Sequence, residues 1–505
     1  MRLVTVLLVA LSLAAPLGAQ PTSSSVATIA APEDFREVRE IIAGRVASGD
    51  APSIAVAVVR DNQIVWQEAF GWADREREIL ATPETIYAIG SLSKSVTATG
   101  IMVLVDRGVL ELDDSVEKYL SPGTITVHEG DGADVTIRRV LHMRGGIPHG
   151  WATYGDTSDP PTIVEYLGSS GIVVFPPGDV EIYSNNAYGV LEAVIAGATG
   201  RDFGEFMRSE VFEPLGMHSS FATLTPELVD LAAARYEATG AKLPSKQYHF
   251  IPQGGAGGYM SIHDLALYAL FHLGSSNSDQ SPILTGETLE RMHYEKDTDN
   301  PESIMALGWG STSLEDDVRW LVTNGSIGGA NSMLTLIPEE GLAVAVLTNI
   351  SSSSLADATA IMIADAVIPE FGRRATSVIQ AYEEANAPIP FEPGPDLEGE
   401  WRGRLEDGEN SVAIAVTLNE NGGASVRFGE DTPVVIERLM LLQESRISGS
   451  FSGRLPGHPV FGAEHSMELT LRSGGGTLYG HVTSGTDTEV GALSIPFYVR
   501  LEKAK

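Results

Sequence analysis

Tyr87-Ala88-Ile89-Gly90-Ser91-Leu92-Ser93-Lys94-Ser95 is the stretch whose reading decides the fold of this chain. The apolar run Ile86-Tyr87-Ala88-Ile89 leads through Gly90 into Ser91. A segment of helical spacing follows to about Gly108, with Val96, Ile101, Leu104 and Val105 among its apolar positions. Ser91 and Lys94 stand three residues apart at the start of that helix, so they share a face. A lysine partly desolvated there, or near another cation, has a depressed pKa and accepts a proton from the serine. The helix N-terminus adds a positive field that favours a developing oxyanion. Alone, the pattern is weak, because Ser115-Val116-Glu117-Lys118 matches it too. That second copy follows the acidic turn Glu111-Leu112-Asp113-Asp114 and reads as a surface helix start.

The next element outward is Tyr183-Ser184-Asn185, preceded by Pro176-Pro177-Gly178. No other Tyr-x-Asn occurs among the 14 tyrosines. A phenol acts as a general base only when neighbouring cations lower its pKa, and Lys94 is expected to do that for Tyr183. The Asn185 amide either orients a substrate carbonyl or amide, or holds Lys94. The bland alternative is a loop tyrosine packed by its ring.

Composition narrows the classes. The chain has 505 residues, 43% hydrophobic and 20% charged, which is long and apolar enough for two cores. It lacks cysteine, which excludes a disulfide framework, a thiol nucleophile and a Cys-ligated metal. Lys+Arg total 33 against 67 Asp+Glu, a formal net charge of -34 that repels phosphate backbones and excludes nucleic acid as an expected partner. The 11 histidines are scattered without metal spacing, and His263 and His272 read as ordinary helix residues. The residues give no reason to expect a metal. At the start, Arg2, an apolar run over 3–15 and the small pair Gly18-Ala19 read as a signal peptide over 1–19. The run is too short to span a bilayer, and no other apolar run reaches that length. An exported protein, periplasmic or extracellular, is expected.

Ser53-Ile54-Ala55-Val56-Ala57-Val58-Val59 reads as a buried strand that Asp61-Asn62 turns back into Ile64-Val65-Trp66. The stretch 110–290 is richer in helical segments, such as 264–273. Strand patterns return at 332–337 and 342–347, and a helical stretch follows over 355–384. These segments make one domain over 30–385. The Pro-rich segment 386–396 reads as a stiff linker. Beyond it, 397–505 holds short strands with Gly-rich turns, the texture of a small antiparallel barrel or sandwich.

Together these elements resemble the serine β-lactamase superfamily, nearest its class C β-lactamase, D-aminopeptidase and esterase branch. The likeness covers about residues 35–370. Tyr87 to Ser95 looks like the family's nucleophile segment, and Phe175-Pro176-Pro177-Gly178 leading to Tyr183-Ser184-Asn185-Asn186 is similar to its second motif. Leu112-Asp113-Asp114-Ser115-Val116, Pro214-Leu215-Gly216-Met217, the run from Gly257 to Leu265, Leu307-Gly308-Trp309 and Val346-Leu347-Thr348-Asn349 are further landmarks in the same order. The resemblance implies an α+β, β-lactamase/transpeptidase-like fold: an antiparallel sheet flanked by helices plus a mainly helical subdomain. The segment after the linker, opening on Leu397-Glu398-Gly399-Glu400-Trp401-Arg402-Gly403, resembles the lipocalin-like barrel appended to some members. Its expected role is packing or shielding rather than a lid or a ligand-binding barrel.

The sequence departs from the family at the third motif. Relatives carry Lys-Thr-Gly or His-x-Gly there, whereas the best match here is Thr323-Asn324-Gly325, followed by Ser326-Ile327-Gly328-Gly329. Either Thr323 or Asn324 stands where the cation belongs, and Arg319 lies nearby in sequence. One charge-assisted hydrogen bond contributes about 1.5–3 kcal/mol, so the change weakens recognition of β-lactams and other anionic substrates. A second departure is Leu141-His142-Met143-Arg144-Gly145-Gly146-Ile147-Pro148, where relatives often have His-Thr-Ser-Gly. The mechanism implied by the resemblance is an acyl-enzyme on Ser91, with Lys94 and Tyr183 sharing its proton and with Asn185 facing the substrate. The N–H groups of Ser91 and Ser326 form the oxyanion hole beside Thr323, Asn324 and Gly325. The resemblance implies no metal and no organic cofactor. The leading reading is an exported serine hydrolase of an ester, lactone or small amide. Its alternatives are a β-lactamase or D-Ala-D-Ala carboxypeptidase or D-aminopeptidase, and a catalytically impaired binding protein on a hydrolase fold.

Overall fold

The computed structural model describes residues 26–504 apart from 156–159, 226–227, 245–248, 279, 315–317, 353, 407–410, 421, 457–462 and 489–490. The signal-peptide expectation over 1–19 lies outside the described residues. The central sheet has seven antiparallel strands in the order Gly310–Ser313, Arg319–Ile327, Ala330–Ile337, Leu342–Thr348, Ser53–Arg60, Gln63–Asp74 and Ile79–Leu80. Helices cover both faces, so its middle strands are continuous apolar runs rather than alternating ones. Side chains still sort by period two. Ala55, Ala57 and Val59 join one core with Ala343, Ala345 and Leu347. Ile54, Val56 and Val58 join the other with Leu342, Val344 and Val346.

The first core is built on helices Ser93–Asp106, Asn185–Thr199 and Ile262–His272. Residues Ser93 to Leu104 are all buried, so the helix after Ser91 runs through the interior. Gly100 permits that depth, since a Cβ there would lie 2.7 Å from Met207 Sδ. The second core is built on Arg36–Ser48 and the C-terminal helices. The helical stretch expected over 355–384 is two helices, Leu355–Asp365 and Phe371–Ala385. Pro369 lacks the N–H a continuous helix needs, and Glu370 takes a left-handed φ of 58°.

The segment read as a linker is docked rather than free, because Ile389–Pro390 pairs with Val434–Leu442. Eight strands follow, from Gly399–Glu406 to Gly491–Lys503, and the first pairs with the last to close a barrel. Closure removes both sheet edges. Trp401, Val416, Leu469, Val482, Val499 and others fill the interior. The barrel also reaches outward. Leu493 and Ser494 on its last strand pair with Ala152 and Trp151 of strand Trp151–Tyr154, and that strand pairs with His249–Ile251. The barrel sheet therefore continues into the hydrolase-like half.

Candidate active site

Strand Ile86–Ala88 pairs with Tyr259–Ser261, and Ile89 N–H donates to the Gly258 carbonyl at 3.0 Å. The chain then turns at Gly90, whose φ of 51° suits glycine. A 3-10 turn, Gly90–Leu92, carries Ser91 into helix Ser93–Asp106. The Ser93 hydroxyl donates to the Gly90 carbonyl (2.7 Å) and accepts from Gly258 N–H (3.0 Å), pinning the turn. Strand Arg319–Ile327 passes directly over it. A Cβ on Gly325 would lie 1.9 Å from the Ile89 carbonyl oxygen and 2.7 Å from Ser91 N. Only glycine fits there, which explains why the Gly of the third motif is kept although its cation is not.

Lys94 is buried on the face beneath Ser91. Its Nζ lies 3.2 Å from Ser91 Oγ and 2.8 Å from the Tyr183 hydroxyl, and donates to Asn185 Oδ1 at 2.5 Å and to the Gly255 carbonyl at 2.8 Å. Ser91 Oγ and the Tyr183 hydroxyl are themselves hydrogen-bonded. Burial pushes the Lys94 ammonium well below the usual lysine range. The two carbonyl acceptors take two N–H donors of a neutral amine. Its lone pair is then left for the hydroxyl side.

Tyr183 departs from expectation. The side chain is about half exposed to the cleft (53%), and desolvation around its hydroxyl raises its pKa, with the Ser91 hydrogen bond only partly opposing that. With its pKa raised rather than lowered, the phenol keeps its proton at neutral pH. Asn185 settles between its two readings, since its amide oxygen accepts from Lys94.

Tyr183 and Asn185 are delivered by a clamped loop. Ser184 caps helix Asn185–Thr199 by accepting from Ala187 N–H. Upstream, Arg144 is only 3% exposed. Its guanidinium donates to the Gly178 carbonyl (3.0 and 2.7 Å) and pairs with Asp297 (3.1 Å) and Glu444 (2.8 Å). Glu444 belongs to the barrel and also accepts from Glu181 N–H at 2.8 Å, two residues before Tyr183. The departure at 141–148 thus has a structural reason: Arg144 and the barrel hold the tyrosine loop. Behind Lys94, the turn Gln253–Ala256 is fixed by buried Glu192, which accepts from Gly254 N–H at 2.8 Å. Burial raises the Glu192 carboxyl to about 8.

These residues open into a cleft of about 660 Å³ lined by Ser91, Tyr183, Asn185, Asn324, Gly325 and Ser326, among others. Thr323 is not among the lining residues. It is buried on the strand face it shares with Gly325, while Asn324 and Ser326 are exposed on the other. Asn324 Nδ2 donates to Asp357 Oδ1 at 3.2 Å. Arg319 is not a substitute cation, because it pairs with Glu290 (3.1 Å) and Glu339 away from the cleft. Sequence reading missed His149, Trp151, Leu243, Phe250, Asp357 and Ala492, all of which line the cleft. They come from separate loops and the barrel, with no motif to mark them. His149 lies against Tyr183 with ring centroids 5.6 Å apart and planes tilted by 34°, and burial and then Lys94 lower it to about 4. Among the described residues, no group of three or more His, Cys, Asp or Glu side chains is placed to hold a metal ion.

Such a fold is of the β-lactamase and penicillin-binding-protein type. The chain belongs to the β-lactamase family, whose model matches residues 38–367. It is 29% identical over 357 residues to the Unguisins hydrolase ungD' of Aspergillus campestris, covering 65% of this chain and 64% of that protein. It is 28% identical over 315 residues to penicillin-binding protein 4 of Amycolatopsis lactamdurans, covering 59% and 81%. The chain spans less than two thirds of the length of the first of these relatives. Among solved structures, the octameric penicillin-binding protein homologue from Pyrococcus abyssi superposes with a TM-score of 0.54 at 23% identity, over 91% of this chain and all of that one. A class C β-lactamase from Rhodobacter sphaeroides covers 65% of this chain and 97% of its own, with a TM-score of 0.51 and 20% identity.

Proposed function

We propose that this protein is an exported hydrolase that cleaves an ester, lactone or small amide through an acyl-enzyme on Ser91. The observation that carries the reading is the buried Lys94 amine, which touches both the Ser91 and Tyr183 hydroxyls without a carboxylate partner among its hydrogen bonds. Ser91 Oγ forms a bond to the acyl carbon while its proton passes to Lys94 Nζ, directly or through the Tyr183 hydroxyl. The carbonyl oxygen becomes an oxyanion facing Ser91 and Ser326 N–H, and one such donor contributes about 2.7–4 kcal/mol in a related setting. On collapse, the neutral phenol of Tyr183 gives its proton to the leaving group and is resupplied by Lys94. Water then attacks the acyl-enzyme by the same route, restoring Ser91. Export rests on the signal-like segment 1–19. No helix of the described residues is long and apolar enough to cross a membrane.

Penicillin-binding-protein relatives favour a second reading, a β-lactam or D-amino-acid peptide hydrolase. The uncharged third motif weighs against it. The deciding experiment is intact mass after exposure to a fluorophosphonate, beside Ser91→Ala. One adduct on the wild type and none on the variant is expected. Equal labelling of both, or none of either, overturns the Ser91 assignment. Hydrolysis of a chromogenic cephalosporin faster than neutral esters selects the second reading.

A further inference from the structure

The cleft wall carries two kinds of side chain. One is the reacting set, Ser91 and Tyr183, with Lys94 beneath them. On the same wall, Trp151 and Phe250 stack with ring centroids 6.0 Å apart and planes inclined by 15°. Both line the cleft, with Leu243, Ile327 and Ala492. Two aromatic faces beside aliphatic side chains make a surface that favours apolar groups. Trp151 and Phe250 sit on neighbouring strands, Trp151–Tyr154 and His249–Ile251. Their geometry is fixed from outside the hydrolase-like half. The barrel's Ser494 pairs with Trp151, and Leu493 pairs with Ala152. Ala492 N–H donates to Thr153 Oγ1 at 2.9 Å, and Thr153 Oγ1 donates to the Ala492 carbonyl at 3.2 Å. The shelf is therefore one sheet with the barrel.

We infer that the Trp151–Phe250 shelf, closed by Ala492 of the barrel, is the specificity site for an uncharged apolar acyl or aryl group next to the scissile carbonyl. The inference rests on the acyl-enzyme reading and names its substrate class. Of the ionisable side chains on the lining, His149 is lowered to about 4 and so is uncharged at neutral pH, and Asp357, raised by burial, accepts from Asn324 Nδ2 at 3.2 Å. Arg235, also on the lining, donates to the Gly328 carbonyl at 3.0 Å.

The test uses the full chain with p-nitrophenyl acetate, butyrate and octanoate. The expected result is a rise in kcat/KM of at least about tenfold from acetate to octanoate, since each buried methylene adds to binding. Trp151→Ala lowers octanoate turnover about thirtyfold and leaves acetate within about threefold. Ala492→Phe, which shortens the shelf without removing it, moves the preferred ester to butyrate. A flat series in the wild type, or equal losses on all esters in both variants, overturns the shelf. Calorimetric binding of octanamide against acetamide to Ser91→Ala separates the two claims. Preferential octanamide binding without any wild-type turnover sustains the shelf and removes Ser91 as nucleophile. Turnover with no octanamide preference does the reverse.

Discussion

The chain carries the tetrapeptide pattern Ser-x-x-Lys twice, at Ser91–Lys94 and at Ser115–Lys118, and the two copies have become different chemistry. Lys94 is buried, hydrogen-bonded to two carbonyls and two hydroxyls, and displaced well below the usual lysine pKa by desolvation. Lys118 is exposed and paired with Asp114 at 2.9 Å, and hydrogen bonds to Asp114 and Tyr119 raise its pKa. Ser91 sits in a turn under a glycine strand; Ser115 accepts from Glu117 N–H to start a single 3-10 turn, Val116–Lys118. Pattern sets which side chains are neighbours. Burial decides whether the lysine is a base or a solvated cation.

The sharpest way to break this contrast is to remove each lysine. Lys94→Met should lower kcat by about 10³-fold or more, within the range lost when one member of a nucleophile–base pair is deleted. Lys118→Met should leave kcat within about twofold. The pH profile adds a sign. Lys94 acts as a base only when neutral, so kcat/KM rises with pH through its depressed pKa and then levels off. Tyr183, raised above the usual tyrosine value, keeps its proton over that plateau. A falling limb between pH 7 and 9 would contradict a protonated tyrosine as proton donor. Equal loss in both lysine variants would erase the contrast altogether.

This contrast also marks what was legible in the sequence. Ser91, Lys94, Tyr183 and Asn185 stood out because neighbours in a helix turn or a short motif are fixed by local geometry, and the structure brings these four side chains together. The antiparallel sheet was legible in the Val-rich run 53–59, and the barrel in its Gly-punctuated strands. What was not legible depends on distant pairings. Nothing in Trp151 or Ala492 announces that a barrel strand 340 residues later will share a sheet edge with the cleft wall. Arg144 looked like a departure from the family, and only its contact with Glu444 gives it a role. The Tyr183 shift runs upward rather than downward, because desolvation of its hydroxyl outweighs the Ser91 hydrogen bond, and desolvation depends on the folded surroundings.

Glu192 extends the contrast to stability, because the same burial that depresses Lys94 raises a carboxyl. Its folded pKa of about 8 lies above the usual glutamate value, so the folded chain holds a proton the unfolded chain releases. Its contribution is fully present below the unfolded pKa and is lost as pH rises from there to about 8. Glu192→Gln keeps an oxygen for Gly254 N–H and removes the titration. Between pH 5 and pH 8 its unfolding free energy should gain on the wild type, by an amount on the order of 3 kcal/mol. Denaturant melts at both pH values measure this difference. A constant gap means the carboxyl is already ionised in the fold, behind the Gly254–Gly255 backbone that Lys94 also bonds.

The smallest effect belongs to the copy that stayed on the surface. Ser115→Ala removes the cap that satisfies Glu117 N–H and the bond from the Ser115 hydroxyl to the Gly132 carbonyl at 2.9 Å. Loss of such a cap costs about 1 kcal/mol, visible as a small shift in a denaturation midpoint. Turnover should not change, because the turn it starts packs beside Gly132–Asp134 rather than against Ser91. If stability stays fixed while kcat falls, Ser115 reaches the site through the packing of Val116 in the core it shares with Ile101 and Leu104. The two copies would then be coupled parts of one device rather than one motif and its surface imitation.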